Sequence, residues 1–99
     1  MLKLRDEIVE LYRKAATSLP LDVEDALRHA FSLEEEGSIA KALLLIVLDN
    51  VKIARETRRP ICQDTGVPVF FIKVPPGIRH SELRNTILEA TRIATEQVP

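Results

Sequence analysis

Residues 38–57, SIAKALLLIVLDNVKIARET, decide how the rest of the chain is arranged. Ile39, Leu43, Ile46, Val47, Val51 and Ala54 recur at helical spacing and line one face, and Leu44, Leu45 and Leu48 widen the stripe. A helix apolar over so much of its surface has to be buried on more than one side, so the reading places it at the centre of the domain. Ser38 is its expected N-cap, because a serine oxygen can accept from the orphan N–H groups of a first turn. Arg58, Arg59 and Pro60 close it, since the residue before proline is pushed out of helical geometry.

Working outward, residues 3–18 carry Leu4, Ile8, Leu11 and Ala15 at spacings of three and four, which predicts a first helix stopped by Pro20. Asp22 is the expected cap of a second helix, with Val23, Ala26, Leu27, Ala30 and Phe31 on its buried face and Gly37 ending it in a left-handed cap. Beyond the central helix, Val67 to Val74 is rich in Val, Phe and Ile and predicts a strand, with Pro68 near its start or on an edge. PPG at 75–77 predicts a turn. Ser81 is the expected cap of a last helix, with Leu83, Ile87, Ala90 and Ile93 or Ala94 turned inward. The expected fold is α/β and predominantly helical: about four helices with a single strand at about 67–74. Residues 1–99 form one domain that is part of a larger one. A lone strand cannot satisfy its own backbone groups, so a partner or a longer chain must supply the second.

Composition excludes several classes of function. Of 99 residues, 29% are charged and 45% hydrophobic, with a formal net charge of −1. Nucleic-acid binding is not expected, because it calls for a basic excess that is absent. The longest apolar run, Ala42 to Leu48, is far short of a membrane span. Acids inside the apolar pattern of MLKLRDEIVEL argue against a signal peptide. A single cysteine allows no internal disulfide and fits a reducing, cytoplasmic setting.

That cysteine sits in RRPICQDTGVPVFF, residues 58–71. In extended chain, Cys62 and Asp64 point to one side and Gln63 to the other. A thiolate is a metal ligand or nucleophile, and a neighbouring carboxylate can hold or pass a proton. Thr65 and Gly66 allow a tight turn that brings backbone close to a ligand. On residue types alone, a partly buried loop thiol explains the stretch as well. Arg58 and Arg59 suit the negative end of a helix better than an anion site. His29 reads as a half-exposed helix residue, His80 as a solvated turn histidine, and Glu34 to Glu36 as a solvated face without metal-ligand spacing.

RPICQDTG followed by a Val/Phe/Ile strand resembles the N-terminal signature of the class I (iron–sulfur) fumarate hydratase and tartrate dehydratase family, in the N-terminal part of its alpha subunit. The flanks ALLLIVLDNVKIARETRRP and ELRNTILEATRIATEQVP extend the resemblance over essentially all of the chain. It implies that Cys62 is one of three cysteine ligands to a [4Fe–4S] cluster. It also implies that Gln63 and Asp64 contact substrate beside the open iron, with Asp64 catalytic. The implied activity is a hydro-lyase reaction, the reversible hydration of a dicarboxylate, either fumarate to malate or the dehydration of tartrate to oxaloacetate. The implied partners are the remainder of the alpha subunit and a beta subunit or C-terminal domain; the wide apolar stripe at Leu44, Leu45 and Leu48 separately leads to the expectation of a second copy covering it in a homo-oligomer. The chain departs from the pattern in lacking the two other cysteines and the later arginines and lysine. Alone it is therefore expected to hold no cluster and to be inactive. Two other classes stay open: a helical interaction module that pairs through its exposed strand, and a thiol enzyme using Cys62 as nucleophile.

Overall fold

A computed structural model describes residues 1–62 and 66–98. It holds four α-helices, α1 (Leu2–Thr17), α2 (Leu21–Leu33), α3 (Ile39–Thr57) and α4 (His80–Gln97). They associate as two pairs, α1 with α4 and α2 with α3, and among the described residues the helices of the two pairs meet only where α1 touches α3. The result is elongated, 57 × 27 × 21 Å, with a radius of gyration of 17.5 Å. A chain of this length closed around one core would have about 13 Å.

The main core lies between α1 and α4. Ile8 and Val9 pack on Ala90 and Ala94, with Leu4, Tyr12, Phe70, Ile87 and Ile93 around them. Two alanines spaced by four residues present a low ridge, so the helices approach closely and the larger α1 side chains fill the space. The expected inner face of α4 is found. That of α1 is turned: Val9 and Tyr12 face α4, while Leu11 is 57% exposed. The Tyr12 hydroxyl lies 2.7 Å from Thr91 Oγ1. Thr91 spends its own proton on the Ile87 carbonyl at 2.8 Å, so Tyr12 is the donor.

The second pair is built around a charge. The buried residue of α2 is Glu24, and the expected face of Val23, Ala26, Leu27, Ala30 and Phe31 is at best half-buried. Arg28, one turn along α2, and Arg55, reaching across from α3, both donate to the Glu24 carboxylate. The hydrogen bond from Arg55, then that from Arg28, holds this carboxyl below the usual range despite the opposing effect of burial. Near the turn that joins the pair, Lys41 lies over the Phe31 ring at 4.6 Å and pairs with Glu36 at 2.7 Å.

Helix ends follow local chemistry. Ser38 Oγ accepts from the Lys41 N–H at 3.1 Å, as expected of a cap. Asp22 is not the cap of α2. Pro20 takes that position, where a missing N–H costs nothing, and Asp22 Oδ1 accepts from the next residue, Val23, at 3.0 Å. Gly37 does adopt a left-handed φ of 79°, but in the turn before α3, since α2 has already ended at Leu33. The last helix begins at His80, one residue ahead of the expected Ser81 cap.

Two larger expectations are corrected. Residues 66–75 run without regular secondary structure, and among the described residues there is no strand, so the α/β class is not realised here. The residue alternation is present all the same. Phe70 is partly buried against Tyr12 while Phe71 is 95% exposed; what is missing is a second strand to bond with. Nor is α3 central. Val51 and Ala54 are buried, but Ile39 is 79% and Ile46 63% exposed. The reason is topological: α4 pairs with α1 alone, so among the described residues no helix covers one long side of α3.

Two outcomes follow for stability. Tyr12→Phe should lower the unfolding free energy by about 0.5–1.5 kcal/mol, the net worth of a neutral hydrogen bond, in urea titration. Thr91 keeps its bond to Ile87, so no orphaned group adds to that cost. Glu24 has a depressed pKa, so its contribution is present above its ordinary value of 4.5 and is lost as pH falls through the lower folded-state value. Thermal melts should show Glu24→Gln unfolding earlier than the native chain at pH 7, with the difference closing steadily below pH 4.5. A difference constant down to pH 3 would contradict the assignment.

Candidate functional site

The cysteine loop is reached through the end of α3. Arg58 closes that helix in the left-handed region at φ 57°, and the Arg59 N–H reaches back to the Ala54 carbonyl at 3.1 Å. This six-to-one bond is the Schellman closure, here with arginine where glycine is usual and proline just beyond. The two arginines therefore finish a helix, as the sequence suggested.

The next two peptide units are then tied down in succession. The Ile61 N–H donates to the Ala16 carbonyl at 2.8 Å. Ala16 lies in the last turn of α1, whose carbonyls have no partner within the helix. The Cys62 N–H donates to Asn50 Oδ1 on α3 at 2.9 Å. With consecutive amides fixed by different helices, the backbone of Ile61 is set on both sides and the Cα of Cys62 is placed. The side chain itself is exposed, so a buried loop thiol is not what forms.

Downstream of the loop a second anchor appears. Phe70 meets Tyr12 edge to face, with centroids 5.7 Å apart and planes at 66°. Tyr12 and Ala16 are one turn apart on α1, so a single helix face holds the chain on both sides of the loop. A groove runs between that face and residues 66–71, lined by Tyr12, Ala15, Ala16, Gly66, Val67 and Phe70.

Of the residues singled out from sequence, Cys62 is exposed, with its N–H held by Asn50. Gln63, Asp64 and Thr65 lie outside the described residues. His29 and His80 are exposed on α2 and at the start of α4, and Glu34 to Glu36 are exposed around the α2–α3 turn. Among the described residues no three His, Cys, Asp or Glu side chains come together to hold a metal, and no helix is long and apolar enough to cross a membrane. An exposed thiol has the chemistry of one donor to a soft metal centre such as an iron–sulfur cluster, which would need further donors beyond the described residues.

Asn50 is the residue that sequence reasoning missed. A signal existed: Asp49-Asn50 interrupts an otherwise apolar run in the middle of a helix, and asparagine is a poor helix-interior residue because its amide competes for backbone groups. Its carbonyl is spent on Cys62, twelve residues along the chain.

Comparison with known proteins finds relatives over nearly the whole chain. The chain is 45% identical to a Methanocaldococcus jannaschii protein named provisionally as an L(+)-tartrate dehydratase subunit alpha, over 99% of this chain and 35% of the relative. It is 41% identical to a Geobacillus stearothermophilus protein named provisionally as a class I fumarate hydratase, over 97% of this chain and 19% of the relative. The L(+)-tartrate dehydratase subunit alpha of Escherichia coli K12 is 33% identical over 98% of this chain and 32% of its own length. The chain thus spans about a third or less of the curated relatives it matches. Residues 5–99 match the family model described as fumarate hydratase (Fumerase), and with nearly every residue from α1 to α4 inside that match, the chain belongs to the fumarate hydratase family.

Proposed function

We propose that this chain is the N-terminal portion of a [4Fe–4S]-dependent hydro-lyase that adds water to, or removes it from, a dicarboxylate, fumarate/malate or tartrate/oxaloacetate. The observation that carries the reading is the family match across residues 5–99, together with an exposed thiol, Cys62, on a backbone held at two successive amides. A cluster held by three thiolates would supply an open iron able to polarise a substrate hydroxyl and carboxylate. Cys62 is one of the three ligands. Asp64 moves the proton at the carbon beside the substrate carboxylate, and Gln63 binds substrate in the ground state.

The remaining ligands and the cationic groups for the carboxylates come from the rest of the enzyme: the remainder of an alpha subunit with a beta subunit, or a C-terminal domain. The same remainder supplies the second strand for residues 67–74 and covers the exposed side of α3, since an apolar surface of that extent rarely stays in water. Cytoplasmic placement and assembly into a homo-oligomer complete the proposal. A second reading, a non-catalytic module that pairs through its extended segment, draws support from the same unpaired stretch. It separates from the first by requiring nothing of Cys62.

In the complete enzyme, Cys62→Ser should lose the cluster and, with it, activity. Asp64→Asn should keep iron content and visible absorbance while cutting turnover by roughly a hundredfold or more, the scale of a lost acid–base group. Gln63→Ala should raise KM more than it lowers kcat. Full activity and iron content in Cys62→Ser would rule out the hydro-lyase reading and favour the module.

The 99 residues expressed alone should take up no stoichiometric cluster on anaerobic incubation with iron and sulfide. One stable cluster per chain would overturn the shared-ligand account.

A further inference from the structure

We infer that Asn50 is a positioning residue for Cys62. Its side-chain carbonyl, through the Cys62 N–H, holds the ligand's Cα in place from the middle of α3. The inference rests on the reading of Cys62 as a cluster ligand, but its structural half stands on geometry alone.

Three observations converge. The Asn50 Oδ1 to Cys62 N distance is 2.9 Å, well inside hydrogen-bond range. The adjoining amide, Ile61 N–H, is already held by Ala16 O at 2.8 Å, so the Asn50 bond is the one that converts a single tether into a fixed pair of peptide planes. Asn50 also shares its helix face with Ala54, four residues on and buried, and adjoins Val51, also buried. Its own side chain is therefore mounted on the rigid part of α3 and not on the exposed part. Asparagine in a helix interior is disfavoured relative to alanine. The residue thus works against the helix it sits in, and the bond to Cys62 is what it returns.

What such a clamp does for a ligand is entropic. Three cysteines from separate segments have to meet one cluster, and each ligand backbone that is ordered beforehand reduces what binding has to order. With the Cα of Cys62 fixed, the rotation about its Cα–Cβ bond is the main freedom left before the thiolate meets iron. Asparagine suits the position in polarity as well: its carbonyl accepts without placing a formal charge beside a thiolate.

The test uses the complete enzyme in four forms: native, Asn50→Ala, Asn50→Asp and Cys62→Ser. Asn50→Ala raises helix propensity at its site, so the fold is retained, and circular dichroism checks this. In metal-free protein, hydrogen exchange at the Cys62 amide should be about tenfold faster in Asn50→Ala, the scale of one neutral hydrogen bond. Asn50→Asp, which keeps an acceptor oxygen at the same place, should stay near the native rate. In cluster-loaded protein held anaerobically with a chelator, Asn50→Ala should lose iron about tenfold faster than native. Unchanged amide exchange in Asn50→Ala, or equal iron loss from native and Asn50→Ala, overturns the inference; so does Asn50→Asp behaving like alanine in the exchange measurement. If Cys62→Ser keeps its cluster, the ligand reading fails instead, and the amide-exchange result still decides whether Asn50 holds the backbone.

Discussion

Everything in this molecule that concerns the cysteine loop depends on one seam, where the last turn of α1 and the middle of α3 share a single stretch of backbone. Ile61 bonds to α1 and Cys62 to α3, so the peptide between them is the physical link between two helix pairs that otherwise meet little. The bonds are modest, about 0.5–1.5 kcal/mol each. Their importance is geometric, because each ties a loop amide to a different helix. A loop held by its own turn could tilt with its flanks. One held by two helices moves only if the helices part.

The two pairs are stabilised by different means. Between α1 and α4 the contact is apolar and close, set by Ala90 and Ala94. Between α2 and α3 the interior position belongs to Glu24, satisfied by Arg28 and Arg55. An acid flanked by two guanidinium groups is specific about angle and register in a way a leucine is not. That suits a pair whose apolar groups are largely directed elsewhere. It also explains why α3 can be the most apolar helix in the chain and still not be its centre.

Periodicity in the sequence reported the helices well, because spacings of three and four are a property of each segment by itself. It placed α3 over residues 39–57 and foresaw the Ser38 cap and the inner face of α4. It could not report which faces meet. Leu11 fits the α1 stripe as well as Val9 does, and only the alanines of α4 decide between them. The strand over 67–74 was legible as a pattern, and Phe70 against Phe71 shows the alternation, but a ladder is a relation between two segments and one is missing. The family was legible through RPICQDTG and its flanks. Asn50 was not, since a hydrogen bond to a backbone amide twelve residues away leaves no trace in residue type beyond an awkward polar break in an apolar run.

The α1–α4 contact joins distant parts of the chain: Tyr12 and Thr91 are 79 residues apart, whereas Glu24 and Arg55 are separated by 31. Closing the longer loop costs only about 1 kcal/mol more in entropy, so at equilibrium the difference is small. During synthesis it is not. The α2–α3 pair can form as soon as its own residues emerge, but α1 has to wait for α4. At ordinary elongation rates the 79 positions between Tyr12 and Thr91 take roughly 4–16 s. For that interval Ile8 and Val9 have no α4 to pack on, and the Ile61 bond has to find the end of an α1 that its partner helix has not yet stabilised.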